Sequence, residues 1–210
     1  MMRIKQAYLL PLMLGLGVLL QSCGILGIHL KVHNPNKAGK TPKFSEEAIL
    51  LGEMTSLRSC YDVNYYDLVL DIDPEDKYLK GKVEVYAIAI SNFDSIQLDL
   101  HESFEINRLY ELNSNRDLEY RRVERAIIIK YHQQEGNSFS IAVEYEGKPM
   151  KAQKPPWKGG FVWKKDKQKK PWIGVACESE GASIWWPLKD HTADEPDSMR
   201  MHYTVPKGLV

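Results

Sequence analysis

Apolar and polar residues alternate along much of this chain with a period of two. In residues 66–72, Tyr66, Leu68, Leu70 and Ile72 fall on one side and Asp67 and Asp71 on the other. Successive side chains of a strand point to opposite faces, so this pattern predicts a half-buried strand. Asp73-Pro74-Glu75-Asp76 follows, a run of residues that favours a turn. Residues 82–90 predict the next strand, with Val83, Val85, Ala87 and Ala89 on one face. The opposite face carries Tyr86, Ile88 and Ile90, which predicts packing on both sides. Alternation resumes at Ile96, Leu98 and Leu100, at Phe104 and Ile106, at Ile127 to Ile129, and at Phe139, Ile141, Val143 and Tyr145. Turn-forming clusters separate these runs at 113–115, 134–137 and 146–149. Many short strands with regular turns predict an all-β fold, an antiparallel β-sandwich or curled sheet.

Two stretches depart from the alternation. Residues 45–57 predict a short helix, with Ser45 as N-cap and Glu46 and Glu47 in its first turn. Residues 151–170 break the strand rhythm. Pro155-Pro156-Trp157-Lys158-Gly159-Gly160 reads as a stiff turn followed by a flexible one, and 164–170 as a solvated basic loop of five lysines.

Composition narrows the class. The chain has 210 residues, 43 % of them hydrophobic, which suits one ordinary globular domain. Its 28 basic and 28 acidic residues cancel. That balance predicts no long-range pull toward nucleic acid or an anionic membrane.

The beginning of the chain reads as a targeting segment. Arg3 and Lys5 precede an apolar run over residues 9–20, and Leu20-Gln21-Ser22-Cys23 follows. A basic start, a short apolar core and a small residue before a cut form a secretory signal. The run is shorter than the roughly 20 residues of a membrane span. The tetrapeptide resembles a bacterial lipobox, which implies cleavage before Cys23 and a lipid on its sulfur. The alternative is an ordinary signal peptide with an incidental cysteine. Residues 24–43 hold Asn34, Pro35, Asn36, Gly39 and Pro42 without periodicity and read as a tether. The expected location is the bacterial cell envelope. Cys60 and Cys177 remain; export permits a disulfide, and the residues themselves read as two buried thiols.

One segment carries candidate chemistry: Gly174-Val175-Ala176-Cys177-Glu178-Ser179-Glu180-Gly181-Ala182-Ser183-Ile184-Trp185-Trp186-Pro187, followed by Asp194-Glu195-Pro196-Asp197. It presents a carboxylate before a tight turn, then a bulky stretch expected to be a strand, then an acidic corner. Upstream stand Tyr61-Asp62-Val63-Asn64-Tyr65-Tyr66, then Gly81-Lys82-Val83-Glu84-Val85, then Ile96-Gln97-Leu98-Asp99. Tyr203-Thr204-Val205-Pro206 comes last. In this order the pieces resemble the zinc aminopeptidases of the aminopeptidase N family over residues 62–206. The resemblance implies the saddle-shaped N-terminal β-domain of such an enzyme, which lends one loop to the active site. Glu178 matches the last position of the family's Gln-x-Glu or Gln-x-Gln pattern. It is therefore implied to bind the substrate's α-ammonium, as a fixed carboxylate does by charge-assisted hydrogen bonds.

The sequence also departs from the family. Ala176 replaces the first Gln, and Ser183 stands where an Arg commonly follows Ala. Leu188-Lys189-Asp190-His191-Thr192-Ala193 separates Pro187 from Asp194, so either Asp190 or Asp194 holds the usual Asp position, and both are expected to shape the corner. The histidines are His29, His33, His101, His132, His191 and His202, and none forms an H-E-x-x-H pair. A G-x-M-E-N strand is missing too. His191 beside Asp190, Asp194 and Glu195 reads as a surface histidine rather than a metal site. No G-x-S-x-G elbow or Ser-His-Asp arrangement stands out.

The expected organisation is a lipoprotein signal peptide over 1–22, a tether with a short helix over 23–57, and the β-domain over 58–210. The catalytic domain with its zinc is expected to belong to polypeptide beyond this sequence, and this part alone is expected to be inactive. Partners would be a peptide N-terminus and, through Cys23, a membrane, with no nucleic acid. The alternative function is a non-catalytic surface lipoprotein that binds glycan or protein. Its support is Trp157, Trp163, Trp172, Trp185 and Trp186, since tryptophans anchor interfaces.

Overall fold

The computed structural model describes residues 43–178 and 180–209. Cys23, the signal segment and nearly all of the tether lie outside the described residues. Among the described residues the chain forms two short helices and eleven strands. The helices are α1 (Glu46–Gly52) and α2 (Ser56–Ser59). Ser45 caps α1 as expected, its hydroxyl accepting the Ala48 N–H at 3.2 Å. The expected single helix over 45–57 instead breaks in two. Gly52 disfavours continuation, and Glu53 turns extended, which leaves its carbonyl free to accept Arg58 Nη1 at 2.7 Å.

Strands β11 (Ser198–Thr204), β1 (Tyr61–Asp73), β2 (Tyr78–Ala89), β8 (Ser138–Gly147), β4 (Phe104–Glu111) and β5 (Arg116–Asp117) join in the order β11-β1-β2-β8-β4-β5. Strand β11 lies parallel to β1, and the other pairs of this sheet are antiparallel. A second sheet has the order β3-β7-β6, from Phe93–Asp99, Ala126–Gln133 and Tyr120–Val123. The two sheets share one core, in which Leu68, Val83, Val85, Ile141 and Val143 of the larger sheet meet Ile96, Leu98, Ile127 and Ile129 of the smaller. This is an all-β sandwich.

The apolar side of the alternation expected over 66–72 holds, with Tyr66, Leu68 and Leu70 buried, but on the other side Asp67 is buried too, paired with Arg200 of β11. Packing on both faces of β2 does not hold. Val83, Val85, Ala87 and Ala89 are buried, whereas Tyr86, Ile88 and Ile90 are exposed by 38 %, 38 % and 53 %. The smaller sheet covers only the inner face. Where β2 faces water, Tyr86 donates its hydroxyl to Glu84 at 2.7 Å.

The region that interrupted the pattern contains a hairpin, β9 (Gly160–Lys165) and β10 (Pro171–Ala176), so residues 164–170 are partly strand rather than loop. The expected strand around Ile184 is a single 3-10 turn over Ala182–Ile184. Gly181 and Asp190 force that outcome, as the site geometry shows. Cys60 and Cys177 are free thiols.

Candidate functional site

Strand β10 delivers the chain to the Cys177 turn. The Cys177 carbonyl accepts the Glu180 and Gly181 amides at 3.2 and 2.9 Å, closing the turn that carries Glu178. Gly181 sits at φ +80, in the left-handed region. A Cβ there would run into the Asp190 carboxylate, so glycine is required on two counts. Asp190 Oδ2 accepts the Ser183 amide at 3.0 Å, which starts the 3-10 turn. The Ser183 carbonyl in turn accepts the His101 amide at 2.8 Å.

Behind the turn lies a buried polar network. Asp99 and Gln97 alternate with Ile96, Leu98 and Leu100 and so face away from the main core. That second face is also closed, for Gln97, Asp99 and Arg58 are wholly buried. Arg58 Nη2 donates to Asp99 Oδ2 at 2.7 Å, and Gln97 Nε2 donates to Asp99 Oδ1 at 2.7 Å and to the Leu50 carbonyl at 2.8 Å. Asp99 Oδ2 also accepts the Asp190 amide at 3.2 Å. Burial pushes the Asp99 carboxyl up, against the opposing pull of the Arg58 charge and these hydrogen bonds. Asp99 and Leu188 exchange backbone hydrogen bonds at 2.8 and 3.2 Å. The chain from Gly181 to Asp190 is thus tied to β3 and, through Arg58, to α2.

Lys189 ties the same segment to β1. Its side chain is buried, and Nζ donates to the Tyr61 carbonyl at 2.6 Å and to Asp194 Oδ1 at 2.7 Å. The ammonium lies 4.5 Å from the centre of the Tyr61 ring. The Lys189 amide donates to Tyr66 Oη at 3.1 Å. Of the six residues that separate Pro187 from Asp194, Lys189 is therefore the buried anchor, while Thr192 and Ala193 are exposed. Asp190 and Asp194 hold the two ends of the corner.

On this frame the two glutamates of the turn differ. Glu180 is half-buried beside Arg125, whose Nη1 donates to the Glu180 carbonyl at 2.9 Å and whose Nη2 stands 3.6 Å from the carboxylate. Glu178 is exposed, and among the described residues its carboxylate makes no hydrogen bond or ion pair. Cys177 is partly buried; burial and the Asp190 charge push its thiol up, so it stays protonated at neutral pH. His191 Nδ1 accepts the Ala193 amide at 3.1 Å, the role of a turn residue. Among the described residues no three His, Cys, Asp or Glu side chains gather as a metal-holding group.

Sequence reasoning overlooked Arg125 as the partner of Glu180, and Asp99, Arg58 and Lys189 as the frame. Asp99 had one signal, its place at the end of the Ile-x-Leu-Asp element. Lys189 and Arg58 had none, because their burial depends on surfaces distant in sequence.

Comparison with family models and with curated proteins gives no match. The solved structures do match in fold. A two-domain M1 zinc metallopeptidase variant bound to L-arginine is 21 % identical, with a TM-score of 0.60 over 75 % of this chain and 34 % of that one. The M1 zinc metallopeptidase from Deinococcus radiodurans is 20 % identical at the same TM-score and coverage. Yeast LTA4 hydrolase in complex with bestatin is 14 % identical, with a TM-score of 0.57 over 82 % of this chain and 26 % of that one. The chain spans about a third of the length of the first two. What it shares with these metallopeptidases is the fold of one β-rich part.

Proposed function

We propose that this chain supplies the N-terminal β-domain of an exported zinc aminopeptidase, anchored by a lipid on Cys23, and that Glu178 binds the substrate's free α-ammonium. The observation that carries the reading is the contrast within one turn. Glu180 is already matched by Arg125, while among the described residues Glu178 presents an uncommitted carboxylate on a turn held by a buried network. The fold likeness to M1 zinc metallopeptidases supports it.

An ammonium carries three N–H donors, and a rigid carboxylate accepts from them in a charge-assisted contact. Fixing the ammonium fixes the distance to the first peptide bond, so residues leave one at a time. Rigidity matters because a mobile acid would lose side-chain entropy on each binding event. Zinc enters only as a constituent of the complete enzyme. The residues described here do not fit it: the sequence has no H-E-x-x-H, and no ligand set converges. This domain's part is to bind and register the amine.

The DNA following the Val210 codon is a first test. A frame that continues into G-x-M-E-N and H-E-x-x-H supports the reading, and a stop codon there removes it. In the continuous enzyme, Glu178→Ala should raise KM for an aminoacyl chromogenic substrate about 10- to 150-fold, the equivalent of about 1.5–3 kcal/mol. Glu180→Gln should change KM far less. An unchanged KM in Glu178→Ala would refute the assigned role.

A further inference from the structure

The zero net charge of this chain hides a sharp segregation. Between residues 148 and 170 stand nine lysines, one aspartate and no arginine or glutamate, a balance of eight positive charges. All nine lysines are exposed. Among the described residues none of them joins an ion pair, whereas four of the seven described lysines elsewhere do: Lys80, Lys82, Lys130 and Lys189.

Five of the nine crowd the tip of the β9–β10 hairpin: Lys164, Lys165, Lys167, Lys169 and Lys170. The one acid of the segment is consumed in building the tip. Asp166 Oδ1 accepts the Gln168 and Lys170 amides, each at 2.8 Å. The Asp166 amide donates to the Lys170 carbonyl at 2.8 Å, and its own carbonyl accepts the Lys169 amide at 3.1 Å. Its carboxylate therefore shapes the turn instead of pairing with a lysine side chain. Trp172 lies opposite Lys164 in the strand register and is 55 % exposed. The tip is a preformed turn that carries five cations, with the half-exposed Trp172 on the strand beside it.

We propose that this hairpin tip docks on the surface of an anionic lipid bilayer. The charge complementarity is diffuse: lysine ammoniums act as point charges, whereas recognition of individual phosphates favours the bidentate arginine fork, which the segment lacks. An indole is the side chain that settles at the level of lipid headgroups. Single-stranded nucleic acid instead calls for successive aromatic platforms along a groove. Each lysine near an anionic surface contributes about fivefold in partitioning, and the contribution fades within a Debye length. This inference is independent of the peptidase reading.

The test uses the full chain with vesicles of pure phosphatidylcholine and of phosphatidylcholine with an equal part of phosphatidylglycerol, sedimented in low and moderate salt. The quantity read is the ratio of anionic to neutral partitioning. Replacing all five tip lysines by Gln should lower that ratio at least about 100-fold in low salt. Replacing them by Arg should preserve it. Trp172 emission, isolated by subtracting the Trp172→Phe spectrum, should shift to the blue on anionic vesicles. Comparison between variants cancels any membrane affinity of residues 1–42, and the Arg variant controls for damage to the hairpin. A wild-type ratio near one overturns the proposal. So does a ratio unchanged in the Gln variant, or a single-stranded polynucleotide that strips the protein from vesicles at a tenfold lower charge concentration.

Discussion

Single carboxylates in this protein are set apart by what surrounds them. Glu178 and Glu180 are two residues apart, yet one meets solvent and the other Arg125. Glu111 shows a third environment. It accepts the Ser114 hydroxyl at 2.5 Å and the Tyr131 hydroxyl at 2.7 Å, with Arg116 at 3.4 Å. The Ser114 and Tyr131 hydrogen bonds lead in holding its carboxyl below the ordinary 4.5. An acid whose folded pKa is depressed contributes stability above its unfolded value and loses it as the pH falls through the folded one. Wild-type protein should therefore lose more stability to urea between pH 5 and pH 3 than Glu111→Gln does. Parallel pH profiles for the two proteins would dismiss this assignment.

At the scale of elements, the segment from Gly181 to Asp194 has almost no regular structure and is nevertheless held from three sides. Asp99 holds it from β3, Tyr61 and Tyr66 hold it from β1, and Tyr145 of β8 donates its hydroxyl to the Trp185 carbonyl at 3.1 Å. Trp186 seals it with its ring edge-on to Tyr66, at 5.0 Å between centroids. Removing one partner of a buried ion pair leaves an uncompensated charge, which costs far more than the pair's net contribution. Lys189→Met should cost about 3–5 kcal/mol in urea unfolding. The double variant Lys189→Met, Asp194→Asn should recover part of that loss, because no lone carboxylate remains. Equal losses in the single and double variants would mean that packing, not charge, anchors the segment.

Across the whole molecule, the core face of the larger sheet runs past its cover. Leu68 of β1 and Met201 of β11 are register partners on the same face. Leu68 is wholly buried and Met201 is 49 % exposed. Met199 and Tyr203 are likewise exposed on β11, and Tyr203 lines an apolar cleft of ≈ 280 Å³ together with Leu70, Phe161, Ile173 and Trp185. In this chain Leu68→Ala should cost about 2–5 kcal/mol, whereas Met201→Ala should stay within about 0.5 kcal/mol. Comparable thermal shifts for both would show that β11 is packed as tightly as β1.

Much of this was readable from residue order. The alternation at 66–72, 96–100 and 139–145 located strands because one buried face imposes a period of two on any sequence. The Ser45 cap was readable because its partner lies three residues away. Reading failed where the outcome depended on a distant surface. Tyr86, Ile88 and Ile90 look like core residues, but the smaller sheet covers only the other side of β2. Ile184-Trp185-Trp186 looks like a strand, but Asp190 captures the Ser183 amide and bends it into a 3-10 turn. The lysine run looks like an ordinary solvated loop in a chain of zero net charge, and only the folded hairpin shows that its single aspartate is occupied by backbone amides.

The order of residues by itself determined the all-β class, the positions of most strands and the presence of an acidic turn at Glu178, because these follow from local periodicity and turn chemistry. Tertiary structure alone decided which glutamate of that turn pairs with Arg125, which aspartate braces it and which face of β2 stays exposed. Those outcomes are settled by burial and by partners such as Arg58, Arg125 and Lys189, brought together from positions 5 to 128 residues apart.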